Sequence, residues 1–467
     1  MSGDDRGKLV EKFYILDNSK SFEKQDLISS SNSCLLFGDA NGELIESKKK
    51  DKSSLLSASF NYINSIIGSG VIGIPFALRE AGFGLGLLML ILVALVTDYS
   101  LILMIKCGYL SGNFTYQGIM ESAFGKPGFI LLSILQFAYP FIAMVSYNIV
   151  VGDTMTKVFV RMLKLDGNSF FSQREVVVFL ATTFITLPLC LYNDVVKLTK
   201  VSFFSLVCEG FILLVVMAEF FMLYSVVPKT DDAWNFINTN LIPAVGVMTF
   251  AFICHHNTFL IFGSIKDVNQ KKWNQVTHIS MTVSFLIAFV FGIVGYATFT
   301  GVSQGDLLEN YCPDDDLISA ARIFFGISIL LTYPLDCFVA REIIGYSFFD
   351  VTNTLTKNQH FFITFLLVFI SYLISVSTDC LGIVLELNGV LVAVPLAYIL
   401  PALCFLKLEP SSLLSKNKLS PIMLFLFGLV VAFLGIIFVV NNYKTLGNCK
   451  HGEIMEYCKK NTTTSIT

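Results

Sequence analysis

Asn61-Tyr62-Ile63-Asn64-Ser65-Ile66-Ile67-Gly68-Ser69-Gly70-Val71-Ile72-Gly73-Ile74-Pro75 is the stretch on which the fold turns. It lies inside an apolar run, Leu55–Leu78, long enough to cross about 30 Å of hydrocarbon at about 1.5 Å per residue. In a helix interior Gly costs about 1 kcal/mol and Pro about 3. Gly68, Gly70, Gly73 and Pro75 therefore predict a helix broken near mid-membrane. A break exposes backbone N–H and C=O groups, and each costs several kcal/mol if left unsatisfied in hydrocarbon. The break must line a cavity or bind something. A half-helix N-terminus offers N–H donors to a carboxylate, and freed carbonyls can hold Na⁺. The plainer reading is that Gly68 and Gly73 only let helices approach closely. The polar cluster Asn61, Asn64, Ser65 and Ser69 favours the cavity.

The rest of the chain fits a membrane protein. Of 467 residues, 54% are hydrophobic and 14% charged, and mean hydropathy is +0.69. Soluble domains carry about 25% charged residues. So few charges cannot cover a water-facing surface of this size, and the 44 Phe agree with lipid contact. A net charge of −3 argues against a nucleic-acid partner. The 11 Cys show no metal-ligand spacing. Cys107, Cys190, Cys208, Cys337 and Cys404 lie in or beside apolar runs, where Cys acts as a small hydrophobe. No cofactor is implied.

Eleven such runs recur, which predicts an all-α protein of eleven transmembrane helices: Leu55–Leu78, Phe83–Ile105, Phe129–Val151, Val176–Tyr192, Val201–Val227, Ile242–Phe262, Val276–Thr298, Leu317–Cys337, Phe361–Ser377, Cys380–Leu406 and Ile422–Asn441. The organisation is a cytosolic disordered tail (1–53), a transporter domain (54–443) and an outer or lumenal tail (444–467). Lys and Arg set the orientation, with Lys48, Lys106, Lys200, Lys271 and Lys416 on the cytosolic side. The acidic loop Gly301–Asp316 falls outside; the basic loop Gly152–Glu175 runs against the rule. The sequon at Asn461 is then a candidate glycosylation site, whereas that at Asn113 stays bare on the cytosolic side. Cys312, Cys449 and Cys458 face an oxidising compartment; the pairing Cys449–Cys458 is preferred over free thiols. In the N-terminal tail, Glu23-Lys24-Gln25-Asp26-Leu27-Ile28 reads either as an acidic dileucine-type sorting signal or as plain tail. The resident membrane is the plasma membrane or an endolysosomal one.

The sixth run holds Cys254-His255-His256-Asn257 in an apolar stretch. Intramembrane ionisable residues are functional candidates. His255 is equally a proton-coupling group or a structural hydrogen-bonding cap. Glu209 and Glu386 are either proton relays or satisfied inter-helix contacts. The first and sixth runs, opposite in orientation, have the spacing of a five-plus-five inverted repeat, whose paired interrupted helices mark a transport site.

Ser59-Phe60-Asn61-Tyr62-Ile63-Asn64-Ser65-Ile66-Ile67-Gly68-Ser69-Gly70-Val71-Ile72-Gly73-Ile74-Pro75 resembles the first-helix signature of the amino acid/auxin permease family, and Phe250-Ala251-Phe252-Ile253-Cys254-His255 its sixth helix. The sodium-coupled neutral amino acid transporters are the group it looks most like, over about Ser53 to Tyr443. The resemblance implies a LeuT-type fold, with an amino acid held between broken first and sixth helices. It also implies Na⁺ held by Asn64 and by Thr332, which precedes Tyr333-Pro334. The alternative for Thr332 is a hydrogen bond to a carbonyl one turn back. Family members commonly carry Cys-His-Pro-Glu where this chain has Cys-His-His-Asn.

The resulting expectation is a secondary active transporter of small neutral amino acids, coupled to Na⁺ with or without proton antiport, and not an enzyme. The substrate carboxylate would meet N–H groups at Gly68, Ser69 and Gly70. Its amino group would meet carbonyls near Thr249, Phe250 and Phe252. The rivals are a proton-coupled, vacuolar-type carrier without a sodium site, and an amino-acid sensor whose N-terminal tail docks a cytosolic partner.

Overall fold

The computed structural model describes residues 53–164, 169–192, 195–348, 355–378, 380–413, 415–442 and 455–461. The N-terminal tail, apart from Ser53, and Cys449 lie outside the described residues.

Among the described residues the chain is all helix, with no strand beyond an isolated bridge between Ser53 and Ile265. The first span is two pieces. Helix α1 (Leu55–Ile66) starts on the Ser54 hydroxyl, which accepts from the Ser57 N–H. It ends where Ile67 turns extended (φ −78°, ψ 112°). After a 3-10 turn (Val71–Gly73), α2 (Ile74–Ala81) departs at 52° to α1. Pro75 sits in the first turn of α2, where a missing N–H costs nothing. The proline therefore begins the second half and the glycines make the break.

Helix α3 (Phe83–Ser111) follows, then α4 (Tyr116–Met162), kinked at Gly125. Gly125 has φ 68°, a conformation costly for any residue with a Cβ. The fourth apolar run becomes α5 (Arg174–Ala181), a π turn (Thr182–Thr186) and α6 (Leu187–Cys190). Helix α7 (Val195–Leu223) precedes the second broken span. That span comprises α8 (Leu241–Phe252), a 3-10 turn (His255–Asn257) and α9 (Thr258–Ser264). Then come α10 (Gln270–Phe299), α11 (Asp316–Phe348) and α12 (Lys357–Ser377). The tenth run is α13 (Leu381–Asn388), two π turns (Gly389–Ala393 and Pro395–Ile399) and α14 (Leu400–Leu408). Helices α15 (Lys416–Asn442) and α16 (Glu456–Asn461) close the chain.

Each π turn lies one turn before a proline: Pro188, Pro395 and Pro401. A proline ring clashes with the carbonyl four residues back, and the widened turn accommodates it. Among the described residues, nine helices are long and apolar enough to cross a membrane, and the bent pair α1–α2 makes a tenth. The fourth run of the sequence, Val176–Tyr192, is the π-interrupted α5–α6 segment, whose pieces span 174–190, and it is not among those ten.

Helix α2 packs against α8, while α4 and α11 run together along their length, with α7 beside α11. The closeness of these contacts explains their glycines. A Cβ on Gly70 would meet the Ala251 Cα at 2.5 Å, and one on Gly389 would meet the Gly246 carbonyl oxygen at 2.0 Å. The outer face of α12 carries the aromatic row Phe361, Phe365 and Phe369, exposed as lipid contact requires.

The preferred disulfide of the sequence reading is corrected: Cys458 pairs with Cys312, 146 residues away, and not with Cys449. The tail folds back on the loop between α10 and α11. The Tyr457 hydroxyl donates to the Asn310 carbonyl at 2.5 Å, and its ring stacks on Phe299. Cys458 is thereby delivered to the loop that carries Cys312.

Candidate functional site

The two breaks face each other. No hydrogen bond among the described residues takes up the N–H groups of Gly68, Ser69 or Gly70. A Cβ on Gly68 would meet nothing within 4 Å, so this backbone borders open space. Gly70 and Gly73 differ: a Cβ on Gly73 would meet Leu385 Cδ1 at 2.8 Å, which makes both of them packing glycines. Opposite, α8 ends on Ile253 in extended conformation (ψ 125°). The carbonyls of its last turn, Thr249 to Phe252, have no following helical N–H. Donors at one break and acceptors at the other suit the two ends of an amino acid.

Side chains hold the breaks in register. The Asn257 amide donates to the Ser65 hydroxyl at 2.7 Å, and Tyr62 and Thr258 share a hydrogen bond at 2.9 Å. Below them, the Ser53 N–H donates to the Ser264 carbonyl at 2.9 Å and the Lys266 N–H to the Ser53 carbonyl at 3.1 Å.

The side chains named from sequence divide. Phe250 packs on Tyr139 of α4 (centroids 5.7 Å apart), which also meets His256 at 5.2 Å. The Thr249 side chain points away from the first break. Its hydroxyl donates to the Val245 carbonyl at 2.8 Å and accepts from Tyr398 at 3.4 Å, so only its carbonyl is free to face a ligand. Phe252 and Ser69 are buried. His255 meets Ser100 of α3 at 3.2 Å, and Ser100 donates to the Ala397 carbonyl. A bond of this kind is what the structural reading of His255 expects, and its Nδ1 has no hydrogen-bond partner among the described residues.

Thr332 donates to the Ser328 carbonyl at 2.9 Å, one turn back and just before Pro334. The Ser328 hydroxyl bonds Glu209 at 3.2 Å and Ser205 at 2.5 Å. Thr332 and Glu209 thus belong to one polar chain between α11 and α7. Asn64 is half-buried on α1, which also packs on α7. No hydrogen bond among the described residues joins Asn64 to Thr332. Glu386 is separate: it lies on α13, with Arg79 and Glu80 of α2 as its charged neighbours.

Sequence reasoning did not single out Asp336. It is buried on α11, its carboxylate directed at the Tyr147 hydroxyl of α4. The signal was present as Thr332 and Asp336, one turn apart, and as Tyr139 and Tyr147, two turns apart.

Between α10 and α11, the 3-10 turn Leu307–Asn310 packs on the turn Val71–Gly73 of the first break. Its first residue is capped by Asp306, which accepts from the Leu308 N–H at 2.8 Å. Burial, and then the Glu309 carboxylate beside it, push the Asp306 carboxyl up to about 7. No group of three or more candidate metal-ligating His, Cys, Asp or Glu occurs among the described residues.

The family model of the transmembrane amino acid transporter proteins matches residues 51–441. The chain belongs to that family. It is 47% identical over 407 residues to a Mus musculus protein provisionally named sodium-coupled neutral amino acid transporter 11, covering 87% of this chain and 89% of that one. It is 32% identical over 424 residues to the vacuolar amino acid transporter 2 of Saccharomyces cerevisiae, covering 87% and 86%. Among solved structures, MhsT in complex with L-phenylalanine superposes with a TM-score of 0.56 at 12% identity, covering 83% of this chain and 99% of that one. The fold is therefore the LeuT type, and the family resemblance of the first and sixth helices holds over the whole membrane domain. This chain is a membrane-embedded amino acid transporter by family, and its relatives are transporters and not enzymes.

Proposed function

We propose that this transporter carries small neutral amino acids together with Na⁺, by alternating access around the paired breaks. One observation carries the reading. The free N–H groups of Gly68, Ser69 and Gly70 face the carbonyl end of α8, and open space borders Gly68. The substrate carboxylate takes the N–H groups, which also sit at the positive end of α2. Its ammonium takes the carbonyls of Thr249 to Phe252, with Phe250 as an apolar wall.

Na⁺ is a hard cation that wants oxygen ligands. Asn64 and Thr332 supply them, with the Glu209 carboxylate one serine away. Bound Na⁺ stabilises the loaded state, and its gradient drives uptake. The N-terminus is cytosolic, and the tail bearing the candidate glycosylation site Asn461 lies outside or in a lumen. The resident membrane is the plasma or an endolysosomal one, with the tail 1–53 free to meet a cytosolic partner.

The test is uptake of radiolabelled alanine and glutamine into proteoliposomes, under an inward Na⁺ gradient and then with choline in its place. Na⁺-dependent uptake that Asn64→Ala or Thr332→Ala abolishes supports the reading. Uptake indifferent to Na⁺ but driven by a pH gradient retires the sodium site. It would favour the proton-coupled reading, for which the bond between Ser328 and half-buried Glu209 speaks. Binding without uptake would make the protein a sensor.

A further inference from the structure

Asp336 is 7% exposed, as are Tyr139 and Tyr147, so all three retain a little accessible surface although they lie deep between α4 and α11. The carboxylate faces the Tyr147 hydroxyl, and its charge also reaches Tyr139. Tyr139 in turn touches Phe250 and His256 at the second break. Asp336 therefore stands in the wall of the transport site, one turn from Thr332 on the same face of α11.

What it lacks is a counter-charge. No ion pair among the described residues includes Asp336, and Tyr147 is the partner its side chain has. The cations on the same helix are engaged elsewhere: Arg341 donates to the Cys190 carbonyl and to Thr364, each at 2.9 Å, and Arg322 to the Leu308 and Tyr311 carbonyls. Glu209 adds a second carboxylate within electrostatic reach of Tyr147. An uncompensated charge in a protein interior costs several kcal/mol, and inside a bilayer such a group marks a ligand or ion path.

We propose that Asp336 lets the site take a dibasic amino acid, whose side-chain ammonium or guanidinium meets the carboxylate, and that such a substrate is carried without Na⁺. This rests on the transport reading above and extends its substrate class. A neutral amino acid brings no charge to this wall, so Na⁺ must neutralise it. A lysine-like substrate supplies that cation itself. The rings of Tyr139, Tyr147 and Phe250 suit a cationic group by their π faces. Acidic amino acids are repelled.

The experiment is uptake of radiolabelled lysine and alanine into proteoliposomes of the full chain, each in Na⁺ and in choline. Lysine should enter in both media and alanine in Na⁺ alone. Asp336→Asn should cut lysine uptake in choline by about tenfold or more, as loss of a charged hydrogen-bond partner does, and lower it relative to alanine uptake in Na⁺. Asp336→Glu, which keeps the charge, should retain lysine uptake and controls for folding. Alanine uptake without lysine uptake would overturn the inference and leave the carrier standing. So would lysine uptake that Asp336→Asn does not change. If no amino acid enters, the carrier reading fails. Thermal stabilisation of the purified protein by lysine, lost in Asp336→Asn, would then still support lysine recognition by Asp336, and its absence would overturn it.

Discussion

Asn257 and Ser65 meet across the two interrupted spans, the Asn257 amide donating to the Ser65 hydroxyl at 2.7 Å. Asn257 ends the run Cys254-His255-His256-Asn257 and supplies a bond between the breaks. Together with the backbone pairing of Ser53 to Ser264 and Lys266, it ties α1 to the 3-10 turn and to α9. Those pieces are built to move as one body. Asn257→Ala and Ser65→Ala should each slow maximal uptake, and a double-mutant cycle should return a coupling of about 1 kcal/mol. Additive effects would show that the bond plays no part.

Gly68 and Gly70 make a sharper contrast. Open space surrounds a Cβ at Gly68, whereas one at Gly70 runs into the Ala251 backbone. Gly70→Ala should overpack the α2–α8 contact by about 1–3 kcal/mol and lower the yield of folded protein. Gly68→Ala should fold normally and still lose uptake, because its methyl occupies space meant for substrate. Size-exclusion profiles separate the two. A Gly68→Ala protein with full uptake would place the substrate elsewhere.

Much of this was legible in sequence because it is local. Gly68, Gly70, Gly73 and Pro75 break a helix wherever they stand together, and hydropathy marks the spans. What was illegible depends on packing between distant segments. Nothing near Thr249 says that Tyr398, far along the chain, turns its hydroxyl away from the site. Asp336 does not stand out in the sequence because burial on α11 is decided by α4. Apolarity marks the fourth run but does not reveal how Pro188 perturbs the turn before it. The disulfide partner of Cys458 was missed because nearness in sequence favoured Cys449, whereas Tyr457 docks the tail on the loop beside Cys312.

Asp306 predicts a pH dependence of the loop between α10 and α11. Its folded-state pKa, about 7, lies above the ordinary carboxylate value because of burial and Glu309, against the opposing pull of Lys157, Arg322 and the Leu308 N–H. Asp153 of α4 also lies within reach of its charge. A raised carboxyl pKa means that the folded state holds the proton more tightly than the unfolded one. Its stabilisation is complete below about pH 4 and is lost as pH rises through about 7. The wild-type protein should melt at a lower temperature at pH 8 than at pH 6, and Asp306→Asn should flatten that difference. An unchanged pH profile in the variant would assign the dependence to other groups.

The Cys312–Cys458 disulfide makes the last prediction. It closes the chain over 146 residues and fastens the tail to the loop whose 3-10 turn rests on the first break. Linking segments so far apart is worth about 2–4 kcal/mol in typical proteins. Reduction, or Cys458→Ser, should therefore lower thermal stability and free the Cys312 thiol. A membrane-impermeant maleimide added outside intact cells should leave Cys312 unlabelled in the wild type and label it in Cys458→Ser. The six free thiols among the described residues are all buried and should stay silent. Labelling of the variant only after permeabilisation would put the loop and tail in the cytosol or in an organelle lumen. Surface labelling of the variant together with substrate uptake would place an active carrier at the plasma membrane with this loop outside.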